Sequence, residues 1–413
     1  MTFQQEDPRD AAQAEARDGA GSAYGRRPAR ATLPLTKVGP GTPCGEYLRR
    51  YWHPLALSSA VDTRPKQVKL LGEDLVLFRD GAGRPGLLYP RCMHRGTTLY
   101  YGRVEDRGLR CCYHGWLFDV QGNCLEQPCE PDGGRHRDQA RQPWYPVEER
   151  YGLVFAYLGP PDRKPLLPRY DILENLEEGE RIASEDGSRF GQQGDRGVPI
   201  MPYTWLHTLD NFMDPFHVYI LHSTFTVRQF APGFAVLPQV KFEYVPGGIV
   251  YRAHRALEDG RKVNRVSCLL LPNAASVPDI DLQASRSSTI SWTVPLDDTH
   301  HQSFRAIRTR QSDEELFKPL LYGEKTWSEM TTEERRDTPG DLEAQGGQGP
   351  LTLNSEEHLV TSDRGIIMLR RLLLRQIRAV AAGEDPIGVA FDPDKLLVTI
   401  PSGNFYADDV APG

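Results

Sequence analysis

Two short loops constrain this chain more than any other feature. Arg91-Cys92-Met93-His94-Arg95-Gly96 holds a Cys-x-His pair. After sixteen intervening residues, Cys111-Cys112-Tyr113-His114-Gly115-Trp116 holds a Cys-x-x-His pair. Each loop offers one thiolate and one imidazole. Such a set can fold around a metal centre in two ways. One is a tetrahedral Cys₂His₂ zinc site, which is structural. The other is a Rieske [2Fe–2S] cluster, with two cysteines on one iron and two histidines on the other. Zinc fingers usually keep Cys with Cys and His with His. Here both loops are mixed, so each gives one ligand to each iron and the cluster is clamped between two loop tips. Gly96 and Gly115 allow the backbone to approach closely. The spacing favours the cluster, held by Cys92, His94, His114 and a cysteine of the second loop. Cys112 would repeat the Cys-x-His spacing of the first loop, so it competes with Cys111 for that place.

The other cysteines are read as bystanders. There are seven in all, an odd number. In a large chain without an export signal, clustered cysteines bind metal or stay reduced rather than form disulfides. Cys124 and Cys129 are expected to be buried, and Cys44 and Cys268 have no partner in sequence. The N-terminus lacks an apolar signal region, and no run of about 18 apolar residues exists. The reading is a cytoplasmic protein that does not enter a membrane. With 49 basic and 56 acidic residues the net charge is −7, which argues against nucleic acid as a partner. The length of 413 residues suggests two or three domains.

Residues 1–32 are polar and lack hydrophobic periodicity, and are read as a disordered tail. From Val68 to Tyr157 short β-runs alternate with turns. Strands are expected at Val68–Leu71, Leu75–Arg79, Leu87–Tyr89, Leu109–Cys111, Trp116–Phe118 and Leu153–Tyr157, which suggests a small antiparallel barrel or sandwich. The Pro-rich stretch Gly159–Pro165 is the expected linker. The domains are therefore 33–160 and 161–413. In the second, a helix is expected from Trp205 to about Leu221, capped by Thr204. Strands are expected at Val240–Tyr244, Ile249–Ala253, Val266–Leu271, Thr289–Val294 and Ser303–Thr309. A last helix runs from Ser362 to Gly383, with Ile366, Leu369, Leu373, Ile377 and Val380 on one face.

A second constellation lies in Asp210-Asn211-Phe212-Met213-Asp214-Pro215-Phe216-His217-Val218-Tyr219-Ile220-Leu221-His222. Two histidines and a carboxylate form the facial triad of non-haem iron(II) oxygenases. On a regular α-helix five residues rotate by about 140°, so His217 and His222 would diverge. They converge if the helix widens by a π-turn or ends before His222.

With both constellations in view, the chain resembles the Rieske non-haem iron oxygenases, the α subunits of aromatic-ring-hydroxylating systems. It looks most like the branch of phthalate dioxygenases and aryl-ether O-demethylases. The resemblance rests on Arg50-Tyr51-Trp52-His53-Pro54, Leu71-Gly72-Glu73-Asp74-Leu75-Val76, the two cluster loops and Asp210 to His222, and extends from about Leu33 to Gly383. It implies an α+β fold: an antiparallel β Rieske domain, then a helix-grip-like catalytic domain with an antiparallel sheet. It implies that Cys92 and Cys111 hold one iron of the cluster and His94 and His114 the other. His217 and His222 would hold a mononuclear Fe(II). Asp214 would pass electrons from a neighbouring subunit's cluster, which implies a homotrimer. The family's third iron ligand is a late carboxylate before a Gln-Gly-Pro-like segment. Asp341 fits, although Gly340 replaces the acid expected before it; Asp337 and Glu343 are the alternatives.

The family's chemistry suits two metals, because dioxygen needs two electrons to reach the peroxo level, one from the cluster and one from the ferrous site. The chain carries no dinucleotide fingerprint, so a separate NAD(P)H-dependent flavin or iron–sulfur reductase must supply them. The expected substrate is an aromatic, carboxylated compound that is hydroxylated or O-demethylated. Arg228, Arg252 and Arg255 could bind its carboxylate. Two readings compete: a Rieske electron carrier without oxygenase chemistry, and a zinc-stabilised binding module. The first would leave some 250 residues beyond the cluster domain unexplained.

Overall fold

The computed structural model of the chain describes residues 31–135, 137–188, 199–226, 231–319 and 321–406. The expected tail lies outside them up to residue 30. Ala31 and Ser355 exchange hydrogen bonds, so the described chain begins tied to the body of the protein. Helix α1 (Pro43–Leu48) follows, with Pro43 at its first turn and Thr42 capping Gly45 N–H through its side chain.

The first domain is built from short antiparallel strands. Strands β1 (Lys66–Leu70), β2 (Glu73–Arg79), β3 (Pro85–Leu88) and Trp144–Tyr145 form one sheet. The strand pairs Arg103–Glu105, Gly108–Arg110, Leu117–Phe118 and Cys124–Glu126 form another. Trp52–Leu57, Val147–Arg150 and Leu153–Tyr157 form a third. The expected strands are all present, displaced by a residue or two. Gly83 takes φ +82° in the turn after β2, where Asp80 N–H bonds to Arg84 O.

The second domain has one large antiparallel sheet. Its order is β4 (Arg181–Glu185), β9 (His301–Thr309), β8 (Thr289–Pro295), β7 (Ala274–Ser276), β6 (Lys262–Leu270), β5b and its edge neighbour, where β5b is Gly248–Ala256 and the neighbour β5a is Gln239–Val245. Two helices pack on this sheet. Helix α2 (Trp205–Phe212) leads to the second constellation. The long helix α5 (Arg364–Ala381) buries Leu369, Leu372, Leu373 and Ile377. Gly365 lies at its start; a Cβ there would sit 2.2 Å from Met213 O and 2.4 Å from Phe242 Cε1. Only glycine lets the helix close down here.

Two main apolar cores form among the described residues. A small one, with Val76, Phe78, Leu99, Leu109 and Phe118, surrounds Cys92 and Cys111. The large one runs from Leu35 and Tyr47 through Trp52 and Phe155 to Trp205, Trp292 and Leu373, so it crosses the expected domain boundary. The Pro-rich stretch is packed rather than loose: Trp52 Nε1 donates to Pro165 O at 2.9 Å, and Tyr157 Oη donates to Arg163 O at 2.9 Å. No helix among the described residues is long and apolar enough to cross a membrane.

The expected helix from Trp205 to Leu221 is not continuous. It stops at Phe212, turns through Asp214-Pro215, and resumes as α3 (His217–Ile220). Pro215 has no N–H to continue the ladder, and Asp214 Oδ1 instead accepts from Phe216 N at 2.9 Å. Thr204 does occupy the cap position of α2, but its hydroxyl makes no capping bond; its N–H bonds to Pro350 O.

Candidate metal centres

The two cluster loops have the same backbone despite their different spacing. In the first, Cys92 N bonds to Thr97 O and Gly96 N to Cys92 O, both at 2.8 Å. In the second, Cys111 N bonds to Trp116 O at 2.8 Å and Gly115 N to Cys111 O at 3.1 Å. Gly96 and Gly115 have φ +77° and +74°. Each loop is therefore the same five-residue turn, with histidine at its third position in one and its fourth in the other. Cys92 and Cys111 are both 3% exposed, whereas Cys112 is exposed. Burial thus sets Cys111 apart from Cys112 in the second loop. The hydrogen bond from Cys92 pulls the Cys111 thiol down to about 6, helped by the N–H groups of Tyr113 and His114. The His94 and His114 rings lie 4.6 Å apart by centroid, and His94 stacks on Trp116 at 4.6 Å with 2° between planes.

Side chains that sequence reasoning missed hold these loops. Gln142 is fully buried; it donates to Tyr89 O and Arg91 O, and accepts from Met93 N, all at 2.8 Å. Arg110 donates to Gly115 O at 2.6 Å and pairs with Glu105 and Glu126. Its hydrogen bonds hold Glu105 down to about 2. Nothing in a lone glutamine or in an Arg/Glu pair on short strands marks such roles. Cys124 is buried as expected, but Cys129 is exposed, because it lies on the surface turn after Pro128 rather than in a strand.

The second centre depends on a widened helix. After α3 the chain forms a π-helical turn over Leu221–Phe225, closed by Thr226 N to Leu221 O at 2.9 Å. Ser223 Oγ donates to Val218 O at 3.2 Å and Thr224 Oγ1 to Ile220 O at 2.6 Å. These hydroxyls occupy carbonyls that a π-turn displaces from the α ladder. The widening brings the His217 and His222 rings to 5.3 Å. Helix α4 (Asp341–Gly346) delivers Asp341 from the other side. Its Oδ1 lies 3.3 Å from His222 Nε2 and 3.7 Å from His217 Nε2. One donor atom from each of the three lies within 4.8 Å of the other two. His217 Nδ1 hydrogen-bonds to the carbonyl of Asp214, which fixes the tautomer with the Nε2 lone pair free. Two neutral imidazoles and one carboxylate suit a divalent iron with open positions.

Of the alternatives to Asp341, Asp337 is exposed and paired with Arg336. Glu343 accepts from Gly340 N at the start of α4 and from Trp327 Nε1. Asp214 sits at the edge of the site, its Oδ2 4.0 Å from His217 Nδ1 and 27% of its side chain exposed. Asn211 was missed: its Nδ2 donates to Asp341 Oδ1 at 3.1 Å. Of the arginines proposed for a substrate carboxylate, Arg228 lies outside the described residues. Arg252 is on the outer face of its strand beside Glu243. Arg255 is buried.

A loop pair of this shape, joined in one chain to a His₂-carboxylate centre on a helix-and-sheet domain, defines a two-centre iron oxidoreductase. The comparisons give the family. Residues 51–146 match the Rieske [2Fe–2S] domain. The chain is 58% identical over 388 residues, 94% of each chain, to the phenoxybenzoate dioxygenase α subunit of Ectopseudomonas oleovorans. It is 34% identical to the 5,5'-dehydrodivanillate O-demethylase oxygenase subunit of a Sphingobium strain, over 92% of this chain and 87% of that one. Its fold matches the terminal oxygenase of carbazole 1,9a-dioxygenase from Novosphingobium with a TM-score of 0.55 at 23% identity, covering 84% of this chain and 96% of that one. The chain belongs to the Rieske non-haem iron oxygenases. It is an oxygenase α subunit whose cofactors are a [2Fe–2S] Rieske cluster and a mononuclear non-haem iron. The readings as an electron carrier or a zinc module are overturned, since these relatives match over the catalytic domain as well.

Proposed function

We propose that this enzyme uses dioxygen and electrons from a separate NAD(P)H-dependent flavin or iron–sulfur reductase to oxidise a carboxylated aromatic compound of the phenoxybenzoate class. The substrate class is suggested by the relative that shares 58% identity. Cys92, His94, Cys111 and His114 hold the cluster, and His217, His222 and Asp341 hold the iron. The observation that supports this most is the convergence of one donor atom from each of the last three, within 4.8 Å.

When bound, the iron activates dioxygen and the cluster supplies electrons singly. The protein's part is positioning. The Asp214 carbonyl holds the proton on His217 Nδ1, and Asn211 orients the Asp341 carboxylate. Phe212, Phe242 and Tyr251 form an aromatic wall beside the helix that carries Asn211. The partly exposed Asp214 carboxylate is the contact for the cluster of a neighbouring subunit, in a homotrimer.

The test is metal analysis with turnover. Protein expressed with iron should carry a cluster and one further iron per chain. With a reductase it should oxidise a phenoxybenzoate. Full iron content with no oxidation of any aromatic acid would refute the substrate reading.

A further inference from the structure

We infer that Arg255, braced by Arg265, is the subsite that takes the carboxylate of the aromatic substrate. This rests on the function proposed above and names the side chain that reads the acid group.

The inward face of two neighbouring strands carries the argument. Tyr251, Ala253 and Arg255 alternate inward on β5b, opposite Ser267, Arg265 and Val263 of β6. The two arginines are therefore diagonal neighbours, 3% and 4% exposed. Both guanidinium groups lie 5.0 Å from the Phe234 ring centroid. Phe234 belongs to a small apolar cluster with Val263 and Leu282, against which Val218 packs. Val218 follows His217, so the apolar cluster beneath the arginines also touches the iron-site helix.

The two cations differ in what they bind. Arg265 is fully engaged: Nη1 donates to Asp279 O at 2.6 Å and Asn404 Oδ1 at 3.0 Å, and Nη2 to Pro278 O at 2.7 Å. Among the described residues Arg255 donates only Nε, to Val236 O at 3.1 Å. Its Nη1 is buried with no hydrogen-bond partner. Neither arginine makes an ion pair with a carboxylate among the described residues. Two like charges side by side in a protein interior are costly unless an anion joins them. Burial pushes both guanidinium groups down to about 10, and Asp279 offsets this in part at Arg265 alone. Arg255 thus keeps a free buried donor, Nη1, that suits a carboxylate, and Arg265 fixes its surroundings. By contrast Arg252, three residues earlier, faces outward and already has Glu243 beside it.

The experiment compares binding of a phenoxybenzoate with that of its neutral carboxamide, by calorimetry on the iron-loaded holoenzyme. The wild type should prefer the acid by at least about ten-fold, the range of a charged hydrogen bond. In Arg255→Met that ratio should fall to about one. Iron content and the visible cluster spectrum report folding. If the methionine variant lacks them, Arg255→Lys, which keeps the charge but loses the fork, should give an intermediate ratio. A ratio unchanged in the variant, or no acid preference in the wild type, overturns the assignment. Oxidation of the amide by wild type without acid preference would overturn the subsite while leaving the oxygenase reading intact.

Discussion

Asn211 Nδ2 donates to Asp341 Oδ1 at 3.1 Å, so a residue of α2 holds a carboxylate of α4. One turn earlier on α2, Thr208 Oγ1 lies 2.7 Å from the Gln345 side chain and 3.0 Å from His301 Nε2. Gln345 is itself one turn beyond Asp341. Two rungs thus lock α4 to the helix that leads into the histidine segment. Partners that orient metal ligands typically matter by about 10–100-fold in metal affinity or activity. Asn211→Ala should lower mononuclear iron affinity within that range and leave the cluster spectrum unchanged. Iron titration of the apo-site by calorimetry measures it, and unchanged affinity would refute the positioning role.

Asp341→Ala should remove the mononuclear iron and keep the cluster, because the cluster loops lie in a separate small core. Glu343→Gln should keep both, since Glu343 serves the start of α4. Metal content per chain with the visible spectrum separates these outcomes; full iron retention in Asp341→Ala would exclude it as a ligand.

In the second cluster loop, Cys111→Ser should abolish the Rieske spectrum while Cys112→Ser leaves it intact. Burial of Cys111 and exposure of Cys112 underlie this. The reverse result would move the ligand by one position.

Acid should destabilise the fold in a defined window. Burial lowers His53, His207 and His301 from 6.5 to about 4. The unfolded chain therefore takes up protons first as pH falls. The stabilising effect of keeping these rings neutral is complete above pH 6.5 and is lost towards pH 4. The melting temperature should decline through that interval, and less steeply in His207→Gln. A flat profile between pH 6.5 and 4.5 would contradict this.

Arg370 lies buried between Asp210 and Glu357, at 2.6 Å from each. Arg370→Leu leaves two carboxylates without their cation and should cost about 3–5 kcal/mol. A denaturant midpoint shift at constant slope would show it.

Much of this architecture was legible in the chain because periodicity and ligand spacing are local signals. The strands at Leu153–Tyr157 and Thr289–Pro295 follow from runs of β-formers, and the last helix from its apolar stripe. The five-residue separation of His217 and His222 calls for a π-turn or a helix that ends before His222, and the chain does both, its α-helix stopping at Ile220 and a π-turn following. The break at Asp214-Pro215 was overlooked because the apolar pattern continues on both sides of it. Asn211, Gln142 and Arg265 were illegible for another reason. Each acts through a partner 49 or more residues away, or across a sheet register, and nothing in the neighbouring sequence records it.

The central claim is that one chain joins a cluster and an iron to oxidise an aromatic acid. A single turnover of chemically reduced, fully iron-loaded protein under isotopically labelled dioxygen tests it most directly, with a phenoxybenzoate as substrate. The expected product carries label from dioxygen and forms in step with reoxidation of the cluster. Cluster reoxidation without any labelled product, across phenoxybenzoates, benzoates, phthalates and methoxylated aromatic acids alike, would contradict it.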